Sequence, residues 1–299
     1  MGLQREFTQN MVFELGYVGS KGTRLVRQYD INQAYPGVTG TVQSRRPFTQ
    51  YGSIMLTSST GNSTYHALVA RLERRFSGGL SFLASYTYGH SIDDGSGLSA
   101  GLNQDARNLA ADRGNSNFDA RHRLVVSYIY NLPFGRGMHF LKTMPSPLNF
   151  VLGGWQLSGI STLQSGRPIF VTLGTDISKT STNRDRPNVV SGLDPLIEGS
   201  TSKTVFLNKT AFASPAAGTF GNAPRNYFNG PGTNNFDITL GKNFKTEKFG
   251  IQFRAEFFNA FNHPWLGQPV ASWTNGAFGT ITSTLGSNRQ IQFGLKITY

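Results

Sequence analysis

Side chains able to do acid–base or metal chemistry are few in this sequence, and they are scattered. The 299 residues include five histidines, His66, His90, His122, His139 and His263, and no cysteine. No two histidines stand at an HxH or HExxH spacing, so neither a zinc site nor a thiol nucleophile is expected. His90 precedes Asp93 and Asp94, and a nearby serine would formally complete a triad. Nothing in the sequence makes the three converge, and two adjacent acids are too few for a calcium site. Gly95-Ser96-Gly97-Leu98-Ser99-Ala100 fits a GxGxxA dinucleotide fingerprint, but no helix pattern follows it, and it reads as a flexible loop. Gly19-Ser20-Lys21-Gly22 mimics an RNA-clamping GxxG; it follows a strand, so it reads as the start of a loop. No catalytic residue, cofactor-binding residue or metal ligand is assigned, and the chain is not expected to be an enzyme.

Charge points elsewhere. Lys and Arg number 28 against 16 acids, a net charge of +12. The excess reflects scarce acids: charged residues are 15%, against roughly 25% in soluble domains. No block of five like charges occurs, so nucleic acid is not expected as a partner. Hydrophobic residues at 38% and aromatics at 12% argue against long disorder.

The elements are strands. From Gln290 to Tyr299, apolar Ile291, Phe293, Leu295, Ile297 and Tyr299 alternate with polar or small residues, and Lys248 to Phe257 repeats the pattern. Successive side chains of a strand point to opposite faces, so each segment has one apolar and one polar wall. Six further segments alternate less strictly, near residues 10–18, 68–73, 80–89, 123–132, 155–164 and 235–241. Leu3-Gln4-Arg5-Glu6-Phe7 reads as the tail of one more strand entering a turn before Met11. No segment has a convincing amphipathic helical period.

Connections separate the all-β alternatives. Phe76-Ser77-Gly78-Gly79 and Lys245-Thr246-Glu247 have hairpin length, whereas residues 20–63, 92–119, 166–232 and 259–288 form long polar connections. Antiparallel alternation puts both tight turns on one side of the sheet and all four long connections on the other. That asymmetry belongs to transmembrane barrels. Residues 133–151 fit less well, being a long excursion on the short-turn side. Tyr17, Tyr86, Tyr88 and Phe257 fall near the upper strand ends, and Tyr128, Tyr130, Trp155 and Tyr299 near the lower ends, as two interfacial girdles require. Arg71, Glu73, Arg254 and Glu256 fall on the polar wall, facing an aqueous lumen or pairing locally across strands.

Several motifs carry a family resemblance. An alternating strand ending at an aromatic C-terminal residue, Tyr299, resembles the signal read by the outer-membrane barrel assembly machinery. Gly16-Tyr17-Val18-Gly19-Ser20-Lys21-Gly22-Thr23, Asp30-Ile31-Asn32-Gln33 and Leu72-Glu73-Arg74-Arg75-Phe76 resemble the barrel of TonB-dependent receptors of the Oar-like group. So do Asp112-Arg113-Gly114, Phe118-Asp119-Ala120-Arg121-His122-Arg123, Gly153-Gly154-Trp155-Gln156 and Gln164-Ser165-Gly166-Arg167-Pro168. Phe220-Gly221-Asn222-Ala223-Pro224-Arg225-Asn226, Gly230-Pro231-Gly232 and Arg254-Ala255-Glu256-Phe257-Phe258-Asn259 complete the series in order.

The resemblance implies a barrel of about 22 strands in all, of which residues 1–299 would supply the C-terminal part, with about eight long strands. The plug, the TonB box and the signal peptide would lie outside this sequence, so the TonB complex would be met only through the missing plug. Outer-membrane lipid would meet the apolar wall, and an unidentified large ligand would meet the long loops. Met1 to Phe7 is not followed by the apolar stretch of a signal peptide, and no run approaches the roughly 18 apolar residues of a spanning helix. Read literally the chain is cytosolic; the resemblance places it in the outer membrane of a Gram-negative bacterium. A self-contained small barrel with a structural, adhesive or lipid-modifying role is the alternative, followed by a soluble carbohydrate-binding β-domain.

The wall assignment is testable. A charge on the lipid wall costs roughly 2–4 kcal/mol at mid-bilayer, and one on the lumenal wall costs little. Ile251→Arg should block barrel assembly and Gln252→Arg should not, as read by heat-modifiable mobility of membrane fractions.

Overall fold

A computed structural model describes residues 1–97, 103–197, 205–245 and 249–299. It contains strands β1 (Gly2–Thr8), β2 (Met11–Asp30), β3 (Met55–Ser77), β4 (Leu80–Asp93), β5 (Gly114–Asn115), β6 (His122–Asn131) and β7 (Trp155–Gln164). Four short strands follow, β8 (Pro168–Ile169), β9 (Asn188–Val189), β10 (Phe212–Ala213) and β11 (Phe228–Asn229). The last three are β12 (Thr233–Lys245), β13 (Gly250–Phe258) and β14 (Gln290–Thr298). One α-helix, α1 (Ser146–Leu152), lies between β6 and β7.

The long strands form one antiparallel sheet in the order β1-β2-β3-β4-β6-β7-β12-β13-β14, with β5 paired to the upper end of β4. Each strand pairs with its neighbour along the chain, the up-and-down connectivity of a barrel wall. β1 and β14 form the two edges and do not pair with each other, so the barrel is not closed.

Register preserves the alternation across the sheet. Ile238, Leu240 and Lys242 of β12 lie opposite Phe257, Ala255 and Phe253 of β13, and these lie opposite Ile291, Phe293 and Leu295 of β14. The other face carries Thr239, Gly241 and Asn243 beside Glu256, Arg254 and Gln252. Among the described residues the apolar wall has no second sheet behind it: Ile291, Phe293, Leu295 and Ile297 are each more than half exposed. Burial of apolar side chains is concentrated instead in the connections, where Ile169, Val171, Leu207, Ala211, Phe212, Phe228 and Phe278 form one cluster. This excludes the soluble sandwich.

Several expectations are corrected. Residues 20–63 are not one loop: β2 runs on to Asp30 and β3 begins at Met55, pairing through Arg27–Ser58 and Asp30–Met55. Their distal halves lack alternation because most of that stretch is exposed on both faces, so no apolar stripe betrays the strands. The ladder slips between Gly22 and Val26, where Arg24 has a φ of 56°. Gly19-Ser20-Lys21-Gly22 therefore lies inside β2, paired with His66 to Ser63, and is no loop start. β1 is the strand that Leu3 to Phe7 indicated, and it pairs with β2 ahead of the eight counted by alternation. β12 extends four residues past Gly241, the end its alternation marked.

Turns follow their sequences. Gly78 and Gly79 take φ values of 59° and 82°, the pair of positive angles a two-residue type I′ hairpin requires between Ser77 and Leu80. Lys245 pairs with Gly250 around the second tight turn, whose residues 246–248 lie outside the described residues.

Gly166 marks the passage from β7 into the long connection. A Cβ there would collide with the carbonyl oxygen of Gly230, a backbone atom with little freedom to move. Gly166→Ala should therefore loosen the connections by about 1–3 kcal/mol while leaving the wall intact. Limited proteolysis on whole cells should show faster cleavage within residues 165–232, with heat-modifiable mobility unchanged.

Candidate functional site

The polar wall is one half of the candidate site. Arg71 lies 2.7 Å from Glu73 on its own strand and 3.6 Å from Glu14 on β2. Arg254 lies 3.6 Å from Glu256. The groups of both clusters remain partly exposed, and each cluster is internally neutralised or nearly so. These charges pair locally, as strand geometry allows for residues two apart on one face. A cavity of about 770 Å³ lies against this wall, lined among others by Arg71, Glu73, Ser127, Ser158, Asp237 and Thr239. Leu83, Ile129 and Ile160 interrupt the polar lining at neighbouring register positions.

The other half is a cap built from the long connections. Its described segments, residues 31–54, 94–97, 103–121, 165–197 and 205–232, are tied by buried polar contacts. Arg225 is almost wholly buried and donates to the Asp93 carboxylate at 2.8 Å, to the carbonyls of Asp93 and Asp112, and to Ser96 Oγ. Asn226 donates to the Asn115 carbonyl and to Asn117 Oδ1. Gln104 donates to the Gly221 carbonyl and accepts from the Arg186 backbone N–H. Gln33 donates to the Gln104 carbonyl, and Arg107 returns to the carbonyls of Gln33 and Ala34. Residues 259–289 join through the apolar cluster, where Phe278 packs edge-on to Phe212. A cleft of about 400 Å³ is lined by Gln104, Asp105, Asn108, Arg186, Phe220 and Pro224.

Burial perturbs the ionisable groups of the cap. Desolvation raises the Asp112 carboxyl to about 6, opposed by Arg186, whose guanidinium lies 3.5 Å away. The same desolvation lowers Arg186, again opposed by Asp112. Burial also raises Asp185, against the bonds it accepts from the Ser178 backbone and hydroxyl.

The residues examined for chemistry have other roles. His66 and His122 lie in ring contacts near the upper strand ends: Tyr17 stacks on His66, and Tyr86 and Tyr88 pack on His122. His263 packs against Phe236 and Phe261. His139, at the lower rim, lies edge-on to Phe140. His90 Nε2 contacts Asn115 Oδ1 at 2.9 Å, while the Asp93 carboxylate is held by Arg225, so these two are not assembled as a triad. Asp94 accepts from the Asn62 backbone and amide and lies 3.4 Å from Arg113. Neither acid points into a shared cation site, and no cluster of three potential ligands occurs among the described residues. Leu98 to Ala100 of the glycine-rich hexapeptide lie outside the described residues.

Sequence motifs without obvious chemistry supply the cap's anchors. Asp112, Asp119, Arg225 and Asn226 all come from segments that carry the family resemblance, and Asp119 accepts from the Ser91 backbone N–H. Arg186 and Gln104 were not singled out by sequence, since a lone Arg or Gln in a polar loop has no periodicity to mark it.

Residues 1–292 match the family model described as outer membrane beta barrel domain. Among solved structures, the chain is similar to the outer membrane transporter YddB from Escherichia coli, at 10% identity and a TM-score of 0.46, over 99% of this chain and 31% of that one. It is also similar to the ferric citrate transporter FecA in its unliganded form, at 14% identity and a TM-score of 0.45, over 99% of this chain and 30% of that one. The chain thus spans about a third of the length of these transporters. No curated protein matches.

Asp112 makes the cap pH-sensitive. Its carboxyl is raised in the folded state from 3.8 to about 6, so the folded cap holds a proton that the unfolded loop has lost. Stability then rises as pH falls from 7 towards 4, by at most about 3 kcal/mol, and the gain is lost again as pH rises through 6. Protease resistance of the cap should be higher at pH 5 than at pH 7, and Asp112→Asn should flatten that dependence.

Proposed function

Because the chain belongs to the outer membrane β-barrel domain family, residing in the outer membrane, we propose that it forms part of the barrel of a TonB-dependent receptor of the Oar-like type, taking up a large ligand. One observation carries this reading: the two edge strands, β1 and β14, present unpaired backbone, which cannot stand against lipid. Every backbone polar group in a membrane must find a partner within the protein. In a larger barrel, additional strands satisfy both edges. The polar, small-residue lining supports the same reading, since Ser127, Ser158, Thr239 and Gly241 are too small to fill the interior of a closed small barrel.

In this reading the cap is where the ligand is first held, and the cleft lined by Arg186 and Phe220 is the place for it. The local ion pairs of the polar wall face a plug that lies outside this sequence, and that plug makes the contact with the TonB complex. The strand ending at Tyr299 addresses the barrel assembly machinery. No catalytic step is assigned to the chain. The second reading, a self-contained small barrel with a structural, adhesive or lipid-modifying role, requires β1 and β14 to pair with each other.

The cysteine-free sequence makes that distinction measurable. Cysteines introduced as Leu3→Cys and Leu295→Cys, on the apolar wall of the two edges, should remain uncrosslinked in outer membranes treated with a mild oxidant. Efficient intramolecular disulfide formation would overturn the receptor reading and favour the small barrel. Cloning with the upstream genomic sequence should restore an in-frame continuation with further alternating strands and a plug; a signal peptide directly before Met1 would count against it.

A further inference from the structure

The long excursion on the short-turn side, residues 133–153, folds into a small foot. Arg136 donates its backbone N–H to Asn149 Oδ1 and its guanidinium to Ser146 Oγ, which fastens the first half of the excursion to α1. Phe134 stacks on Phe140 at 5.5 Å between centroids.

Lys242 fixes the side of the sheet on which the foot lies. It sits in the apolar row of β12, opposite Trp155 of β7 and Phe253 of β13. A cation on that wall is costly in lipid unless it is covered. Its ammonium is covered: it donates to the carbonyls of Phe150 and Val151 at the C-terminal end of α1, and it is ringed by Trp155 and Phe244 at 5.2 and 4.8 Å. Trp155 Nε1 donates to the same Val151 carbonyl, and Phe150 packs on Phe244. The helix is therefore bolted to the lipid-facing side of the wall, at its lower rim.

From this position the foot presents apolar side chains outward. Met138, Phe140, Leu141, Leu148, Phe150 and Val151 are each about half exposed. Arg136, His139 and Lys142 are interleaved with them and are exposed, and no acidic residue occurs between Asp119 and Asp176. Exposed apolar groups mixed with cations, continuous with a lipid-facing wall, match the chemistry of a membrane interface.

We propose that residues 133–153 are an interfacial foot that rests on the anionic phospholipid headgroups of the inner leaflet, with Lys242 as the bolt that holds it there. The outer-membrane location is given by the family; the assignment of the lower rim to the periplasmic side rests on the reading above. Phe140 and Leu148 dip below the headgroups, while Arg136 and Lys142 contact lipid phosphate.

The test uses the full-length protein, isolated from outer membranes and reconstituted into nanodiscs. A single cysteine at Leu148 (Leu148→Cys) carries an environment-sensitive fluorophore. With phosphatidylcholine containing phosphatidylglycerol, emission should be blue-shifted and quenched by shallow spin-labelled lipid. Omitting phosphatidylglycerol, or combining Arg136→Gln with Lys142→Gln, should reduce that quenching at least twofold, and Lys242→Gln should abolish the blue shift without changing heat-modifiable mobility. Water-like emission quenched by aqueous iodide in both lipids would overturn the proposal. So would a blue shift that appears only when two copies share a disc, as that makes a second chain the occupant. The disulfide test of the edges is independent of this one, so a self-paired small barrel with a lipid-embedded foot would sink the receptor reading alone.

Discussion

Every feature of this wall depends on the requirement that backbone polar groups be paired where water is absent. An antiparallel ladder satisfies all of them except at its edges, and it forces side chains to alternate between two solvents. The apolar rows through Leu240, Ala255 and Phe293 and the polar rows through Gly241 and Arg254 are consequences of that one constraint. The same constraint leaves β1 and β14 as positions where pairing is incomplete.

A wall solvated by lipid on one side and water on the other has no interior of its own. The buried core has accordingly moved into the connections, where Phe212, Phe228 and Phe278 pack together and the side chains of Arg225 and Arg186 are buried beside polar segments. Burying such charges is tolerable only with dense pairing, and Arg225 has it, with a carboxylate, two carbonyls and a hydroxyl. Asp112 is the strained member, held at 3.5 Å from its partner and raised towards neutrality by the same burial.

The two rims solve different problems. At the upper rim, histidines that could have done chemistry pack against tyrosines, with Tyr17 on His66 and Tyr86 and Tyr88 on His122. An imidazole, like a phenol, has an apolar ring and a polar edge, which suits the boundary between hydrocarbon and water. At the lower rim, the last carbonyls of α1 cover the Lys242 ammonium. The excursion that fitted poorly among short turns is held on the outside of the wall by that contact.

Alternation alone determined that the chain is all-β and which residues share a face of the sheet. A period of two is imposed locally, by the geometry of each strand, and needs no knowledge of its neighbours. Ile251, Phe253 and Phe257 could be assigned to one wall for that reason. Where both faces meet the same solvent the period vanishes, so the distal halves of β2 and β3 were legible only in pairing. The cap was decided by tertiary structure alone: Asp93, Asp112, Arg186 and Arg225 are far apart in sequence, and no local spacing encodes that they meet. Lys242 lay one residue beyond the last alternating position and became meaningful only when the end of α1 was found upon it.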